Sequence, residues 1–267
     1  MLNALERREQ PRTGLVIDRK NLSFTLDNGI AHRAAIGLIV LATDHTIEHE
    51  WRLMLGNLDG VAFYESRLMN SASITPETLR EIESEIAYAT QLIRPGERID
   101  VMAFACTSGA MVIGDETVAA RIHEHRPACP CTTPMSAAIA GLTRLSARRI
   151  ALLTPYVDRI NCMMRDHIEQ RGLEVTAMAS FNHENDNEVA RIDAASVERA
   201  VLELGAADAV DAVFVSCTSL RVAGLIERLE HQLGKPVTSS NHALAWHSLR
   251  LAGWHDPVPG FGRLMRG

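Results

Sequence analysis

Aromatic residues are scarce in this chain: Trp, Tyr and Phe together make up 4% of 267 residues. That leaves little material for the stacked platforms on which proteins hold single-stranded nucleic acid. Positive charge is not in surplus either. There are 27 Lys and Arg against 33 Asp and Glu, a formal net charge of -6, and the basic residues are scattered. Neither a DNA or RNA footprint nor adhesion to an anionic membrane surface is supported. The longest apolar run, Ala34 to Ala42, has about half the roughly 20 residues that a membrane-spanning helix needs. Met1 to Gly14 is rich in Arg and Glu and lacks the apolar core of a secretory signal, so a cytoplasmic location is expected. Neither G-x-G-x-x-G nor a P-loop occurs, which leaves nucleotide cofactors without a motif. Five cysteines are too few for a disulfide framework in a chain of this length, and in a reducing compartment they are thiols available for chemistry.

What the chain does have is alternation. Apolar runs of strand length recur between longer helical patterns: Ile36 to Leu41, Val61 to Tyr64, Asp100 to Ala105, Ile150 to Thr154, Glu174 to Ala179, Ala212 to Ser216 and Pro236 to Thr238. Between them, Ile47 to Leu58 has helical spacing, and Thr75-Pro76-Glu77 opens a helix running to about Ile93, with Thr75 as cap and Pro76 in the first turn. A further helix is expected from about Gly109. This order predicts an α/β fold with parallel sheets.

Three matches along the chain reveal an internal duplication. Ile36 to Asp44 aligns with Ile150 to Asp158. Asp100, followed at the same spacing by Cys106-Thr107-Ser108, aligns with Asp211 and Cys217-Thr218-Ser219. Pro130-Cys131-Thr132-Thr133 aligns with Pro236-Val237-Thr238-Ser239. The matches keep their order and nearly keep their offset, which predicts two similar α/β halves related by a pseudo-two-fold, over residues 34–147 and 148–267, after a leader of residues 1–33 that packs on the fold. Ligands of parallel sheets bind beyond the carboxyl ends of the strands, where both Cys-Thr-Ser triplets fall. If the halves face each other, the two thiols reach one cleft from opposite sides.

A thiol at a helix start has its pKa lowered, and the neighbouring hydroxyls and N–H groups suit a carboxylate or an enediolate. One thiolate can take a proton from the carbon next to a carboxylate while the other thiol delivers one to the opposite face. Alternatively, a thiolate adds to a double bond, permits rotation and leaves. Neither scheme calls for a cofactor. Cys129, Cys131 and Cys162 have no duplicated counterparts and read as structural. His45-Thr-Ile-Glu48-His49 fits the inverted zinc-protease pattern H-x-x-E-H. It lies inside a duplicated element whose counterpart near Asp158 carries no metal-binding residue, so no metal site is assigned.

Phe104-Ala-Cys-Thr-Ser-Gly109, Thr154-Pro-Tyr156 and Ser216-Cys-Thr-Ser219 resemble the aspartate/glutamate racemase superfamily, in the branch of maleate cis-trans isomerase and arylmalonate decarboxylase, over Ile36 to Gly253. Within that branch, Leu38 to Trp51 is similar to racemase-like proteins of bacterial ectoine and hydroxyectoine utilisation. The resemblance implies a site between two α/β subdomains, with Cys106 and Cys217 as the two catalytic thiols. Decarboxylases of the branch carry glycine at the first position, so retention of both favours an isomerase or racemase. Thr107, Ser108, Tyr156, Thr218 and Ser219 match a carboxylate-binding hole. Asn187, or Asp186 one residue earlier, matches a substrate-binding Asn. Asp44 stands where maleate isomerases carry Asn. A carboxylate there repels a dicarboxylate and suits a cationic nitrogen, unless its role is only to cap the following helix. The expected partner is a small-molecule carboxylate, with assembly into a homo-oligomer left open.

Overall fold

The computed structural model describes residues 19–267. Of the expected leader, residues 1–18 lie outside the described residues, and residues 19–30 are exposed. Contact with the fold starts at Ala31, which is buried, and at Arg33, which lies 3.6 Å over the Trp254 ring and 2.6 Å from Asp256.

Among the described residues, eight parallel strands form two sheets. The first contains β1 (Ala34–Leu41), β2 (Val61–Leu68), β3 (Val101–Ala105) and β4 (Cys131–Thr132) in the order β2-β1-β3-β4. The second contains β5 (Arg149–Thr154), β6 (Glu174–Ser180), β7 (Ala212–Val215) and β8 (Val237–Ser239) in the order β6-β5-β7-β8. The two orders are the same when the strands of each half are counted from its start, and each of the three sequence matches falls on equivalent strands. The expected α/β architecture of two similar halves is therefore the observed one. Helices of the first half are α1 (Ile47–Leu55), α2 (Pro76–Glu81), α3 (Glu83–Leu92), α4 (Thr107–Ile113), α5 (Asp115–His123) and α6 (Pro134–Arg144). Those of the second are α7 (Asp158–Glu169), α8 (Asp186–Val189), α9 (Ala194–Gly205), α10 (Ile226–Leu233), α11 (Ser240–Leu251) and α12 (Gly262–Arg266).

Strands β1, β3 and β7 are buried along their whole length, because helices cover both faces of each sheet and only continuous apolar runs fit there. The aspartates of the duplicated motif are structural. Asp100 accepts from the Ala35 N–H at 2.8 Å, and Asp211 accepts from the Arg148 and Arg149 N–H groups at 3.1 and 2.8 Å. Each clamps the start of the central strand to its neighbour. The residues closing the third match, Thr133 and Ser239, cap α6 and α11 through their side chains.

Two local expectations change. β2 runs on past Tyr64 to Leu68, since an edge strand tolerates the exposed Glu65 and Arg67 that end its apolar pattern. The helix expected from Pro76 to about Ile93 is interrupted at Ile82, which separates α2 from α3.

Helices α6 and α11 pack against each other, and α11 lies across the first sheet against β1, β3 and β4. This explains why α11 is buried on nearly every side from Ser240 to Leu249. The seam between the halves is polar and well matched. Glu50 of α1 is buried, and its carboxylate accepts from the Val222 N–H, the Ala223 N–H at 2.6 Å and the Asn241 side-chain amide at 2.8 Å. Thr46 Oγ1 donates to the Ser219 carbonyl at 2.8 Å, and the Trp51 indole donates to the Asn241 carbonyl at 3.2 Å. A buried donor stripped of its acceptor costs about 1–3 kcal/mol. Glu50→Ala strands three at once, and a loss of about 3–5 kcal/mol is expected in urea unfolding.

Candidate active site

Where the carboxyl ends of the two sheets meet lies a small, partly open cavity of about 20 Å³, enough for one or two waters. Cys106 comes from the end of β3 and Cys217 from the end of β7, and both line it. Thr107, Ser108, Tyr156, Thr218 and Asp186 supply polar groups, while Leu41, Ile74, Leu79 and Ile82 form an apolar side. The interruption at Ile82 lets α2 and the start of α3 present Leu79 and Ile82 to the same space. The roof is a segment of the first half paired with one of the second. The Ile74 N–H donates to the Glu184 carbonyl at 2.9 Å, and the Asp186 N–H to the Ala72 carbonyl at 3.0 Å, around an antiparallel bridge between Ser73 and Asn185.

The two thiols are held differently. Cys106 is the N-cap of α4, and its Sγ accepts from the Gly109 N–H at 3.2 Å. Cys217 is followed by a turn, with helix resuming only at residues 223–225. Its φ of 142° is rare for a residue with a side chain, and its Sγ accepts from the Ser219 N–H at 3.4 Å. The expectation of a helix start behind each cysteine therefore holds for Cys106 and fails for Cys217. The expected lowering of the thiol pKa is overturned at both. Burial pushes Cys106 up to about 12 and Cys217 up as well, and the carboxylates of Asp186 and Asp44 add to both shifts. Desolvation of a small anion outweighs the N–H groups that favour it. Tyr156 is buried beside Cys217 and Ser108, and burial raises its pKa too.

Two acidic side chains stand at or just behind the cavity wall. Asp186 is buried, with Oδ2 accepting from Thr43 Oγ1 at 2.5 Å and Oδ1 from Ser219 Oγ at 2.9 Å. Asp44 is 2% exposed and caps α1: its Oδ1 accepts from the Thr46 and Ile47 N–H groups at 2.7 and 2.9 Å. Its other oxygen, Oδ2, is buried with no hydrogen-bond partner. The cap therefore occupies one oxygen of the carboxylate, and the other is buried on the Thr218 side. Burial, reinforced by Asp186, pushes Asp44 up to about 6.

A family model, arylmalonate decarboxylase, matches residues 36–265. The chain belongs to the arylmalonate decarboxylase family. An arylmalonate decarboxylase of Bordetella bronchiseptica is 34% identical over 198 residues, 72% of this chain and 81% of that protein. A maleate isomerase of Geobacillus stearothermophilus is 27% identical over 251 residues, 89% of this chain and 99% of that one. The structure of Nocardia farcinica maleate cis-trans isomerase, as a mutant with a covalently bound succinylcysteine intermediate, superposes with a TM-score of 0.80 at 26% identity. It covers 87% of this chain and 98% of that one. These relatives of the family are enzymes, decarboxylases in one case and isomerases in the other.

Among the residues chosen from sequence, Cys106, Thr107, Ser108, Tyr156, Cys217 and Thr218 share the cavity wall. Ser219 and Asp44 lie behind it, Ser219 holding Asp186 and Asp44 next to Thr218. Asn187 is the correction. It is absent from the wall, and Asp186 stands there instead, because Asn185 caps the short α8 and the Ala72 carbonyl fixes the Asp186 backbone toward Thr43 and Ser219. His45 and His49 are exposed and Glu48 pairs with Arg67 at 2.9 Å. No group of three or more His, Cys, Asp or Glu able to hold a metal occurs among the described residues. Cys129, Cys131 and Cys162 lie away from the cavity. Ser240, missed from sequence, touches both triplets.

Because the folded protein holds the Asp44 proton up to about pH 6 and the ordinary value is 3.8, the folded state binds more protons between those limits. Its stability therefore falls as pH rises through that window. Asp44→Asn keeps an oxygen for the cap. It should stabilise the protein by about 1–3 kcal/mol above pH 6, with the advantage vanishing below about pH 4, as read from denaturant midpoints across pH.

Proposed function

We propose that the protein is a two-thiol isomerase or racemase acting on a small carboxylate that also carries a cationic nitrogen. The observation that carries this is the convergence of Cys106 and Cys217, one from each half, on a single small cavity with Asp186 on its wall. A thiolate is disfavoured in the cavity by burial and by the fields of Asp186 and Asp44. A cationic group beside those carboxylates reverses that field and brings the thiols toward ionisation, so substrate binding itself prepares the base. A second anion would do the opposite. The hydroxyls of Ser108, Tyr156 and Thr218 suit the substrate carboxylate, and Leu41, Ile74, Leu79 and Ile82 suit an apolar part. Cyclic amidines of the ectoine type, suggested by the resemblance of Leu38 to Trp51, belong to this chemical class.

In the racemase form, one thiolate takes the proton from the carbon next to the carboxylate, and the electron pair passes into an enediolate. The opposite thiol then protonates that carbon from the other face and becomes the thiolate. In the cis-trans form, a thiolate adds to one carbon of a double bond and the other thiol protonates its neighbour. The single bond rotates, and loss of the proton and the thiolate restores the double bond. Both cycles close with the two sulfurs alone. The family's decarboxylases supply a second reading, loss of carbon dioxide from a malonate followed by protonation from one thiol, for which a single cysteine suffices. Two cysteines on one wall favour the first.

Cys106→Ser and Cys217→Ser should each abolish racemisation or isomerisation by about three orders of magnitude or more while leaving the circular dichroism spectrum unchanged. Carbon dioxide release from an arylmalonate that survives Cys106→Ser would move the assignment to the decarboxylase. The charge preference is tested by calorimetry with ectoine and maleate. Asp44→Asn should weaken ectoine by about one to two orders of magnitude and improve maleate. An unchanged ratio would reduce Asp44 to a helix cap.

A further inference from the structure

Ser240 is fully buried at the first position of α11, and its hydroxyl joins the two catalytic triplets. Thr107 Oγ1 donates to Ser240 Oγ at 2.8 Å, and the Cys217 N–H donates to the same oxygen at 3.0 Å. One atom therefore contacts the residue that follows the first thiol and the backbone of the second. The duplication makes this position one-sided. Thr133-Pro134 stands in the first half where Ser239-Ser240 stands in the second, and both pairs open an interface helix with the first residue as cap. Proline has neither hydroxyl nor N–H, so the first half has no counterpart of the Ser240 oxygen. The half with the hydroxyl is also the half whose cysteine has φ of 142°, while Cys106 has φ of -146°.

We propose that Ser240 is a positioning residue that makes the two thiols unequal, holding Cys217 in its strained backbone conformation while tying it to the Thr107 hydroxyl across the seam. The proposal rests on the two-thiol reading above. A non-glycine residue at such a φ is strained and persists only where surrounding contacts enforce it. The buried Ser240 oxygen is such a contact, since Cys217 could not relax without leaving that acceptor. The Ser240 proton gives the link a second use. When a carboxylate reaches Thr107, the pair can reverse, with Ser240 donating to Thr107 and Thr107 to the substrate, while Ser240 still accepts from Cys217. Hydrogen bonds in such a chain reinforce one another, so binding at the first triplet tightens the hold on the second cysteine.

The test needs no substrate. Alkylation of Cys106 and Cys217 by iodoacetamide is followed separately by peptide mass spectrometry as a function of pH, in wild type, Ser240→Ala and Ser240→Thr, with circular dichroism melts as a control. Ser240→Pro, which installs the residue of the first half at the same helix position, is a second hydroxyl-free variant measured in the same way. In the hydroxyl-free variants Cys217 should relax away from the cavity and react about tenfold more slowly. Its pH profile should shift, while Cys106 stays within about twofold of wild type and Ser240→Thr restores Cys217. Equal changes at both thiols, or none, in a folded variant would overturn the proposal. Absence of turnover in any assay would count against the isomerase reading and leave this result standing.

Discussion

Everything at the centre of this protein depends on closing two separately built halves against each other without leaving polar groups stranded. The problem is acute because the seam carries strand ends, helix starts and their unpaired N–H groups. Glu50 answers part of it by reaching from α1 to three donors of the other half, and Thr46, Trp51 and Ser240 complete the match. A seam sealed this way excludes water, and exclusion of water governs the chemistry inside. It raises both thiols and leaves one oxygen of Asp44 without a hydrogen-bond partner.

The family likeness and the local electrostatics bear on different questions. Likeness to decarboxylases and maleate isomerases fixes the fold and restricts the chemistry to enzymes of that branch. In the proposed reading the substrate meets a few side chains, and two of them are acidic. A buried carboxylate with a vacant oxygen is costly to keep, and the cost is rational where a ligand offsets it.

The architecture was legible because parallel strands covered on both faces must be continuous apolar runs, as in Ile36 to Leu41 and Ala212 to Ser216. A duplicated fold writes its landmarks twice. The polar end of β2 was not legible, since an edge strand has no such requirement. Nor was the interruption at Ile82, which neither glycine nor proline announces. The identical Cys-Thr-Ser triplets implied identical surroundings, yet Thr107 and Ser108 open a helix after Cys106, whereas Thr218 and Ser219 lie in a turn after Cys217. The direction of the thiol shifts was not legible for a related reason: a helix start is visible in sequence, and the depth of burial that opposes it is not. Asp186 and Asn187 are adjacent in sequence, and only the pairing of Ala72 with Asp186 decides which of them faces inward.

The pairing of residues 72–74 with residues 184–186 over the cavity has a further consequence for a reaction run by two sulfurs. In the racemase form proposed above, each passage of a substrate leaves the proton on the opposite sulfur from where it began. The protein thus finishes in a form suited to the mirror-image substrate. With the roof shut, bulk water cannot redistribute that proton, so restoring the starting form belongs to the open interval between one molecule and the next. In that form the molecule would carry a brief chemical memory of the handedness it last processed, erased only while those two backbone hydrogen bonds are broken.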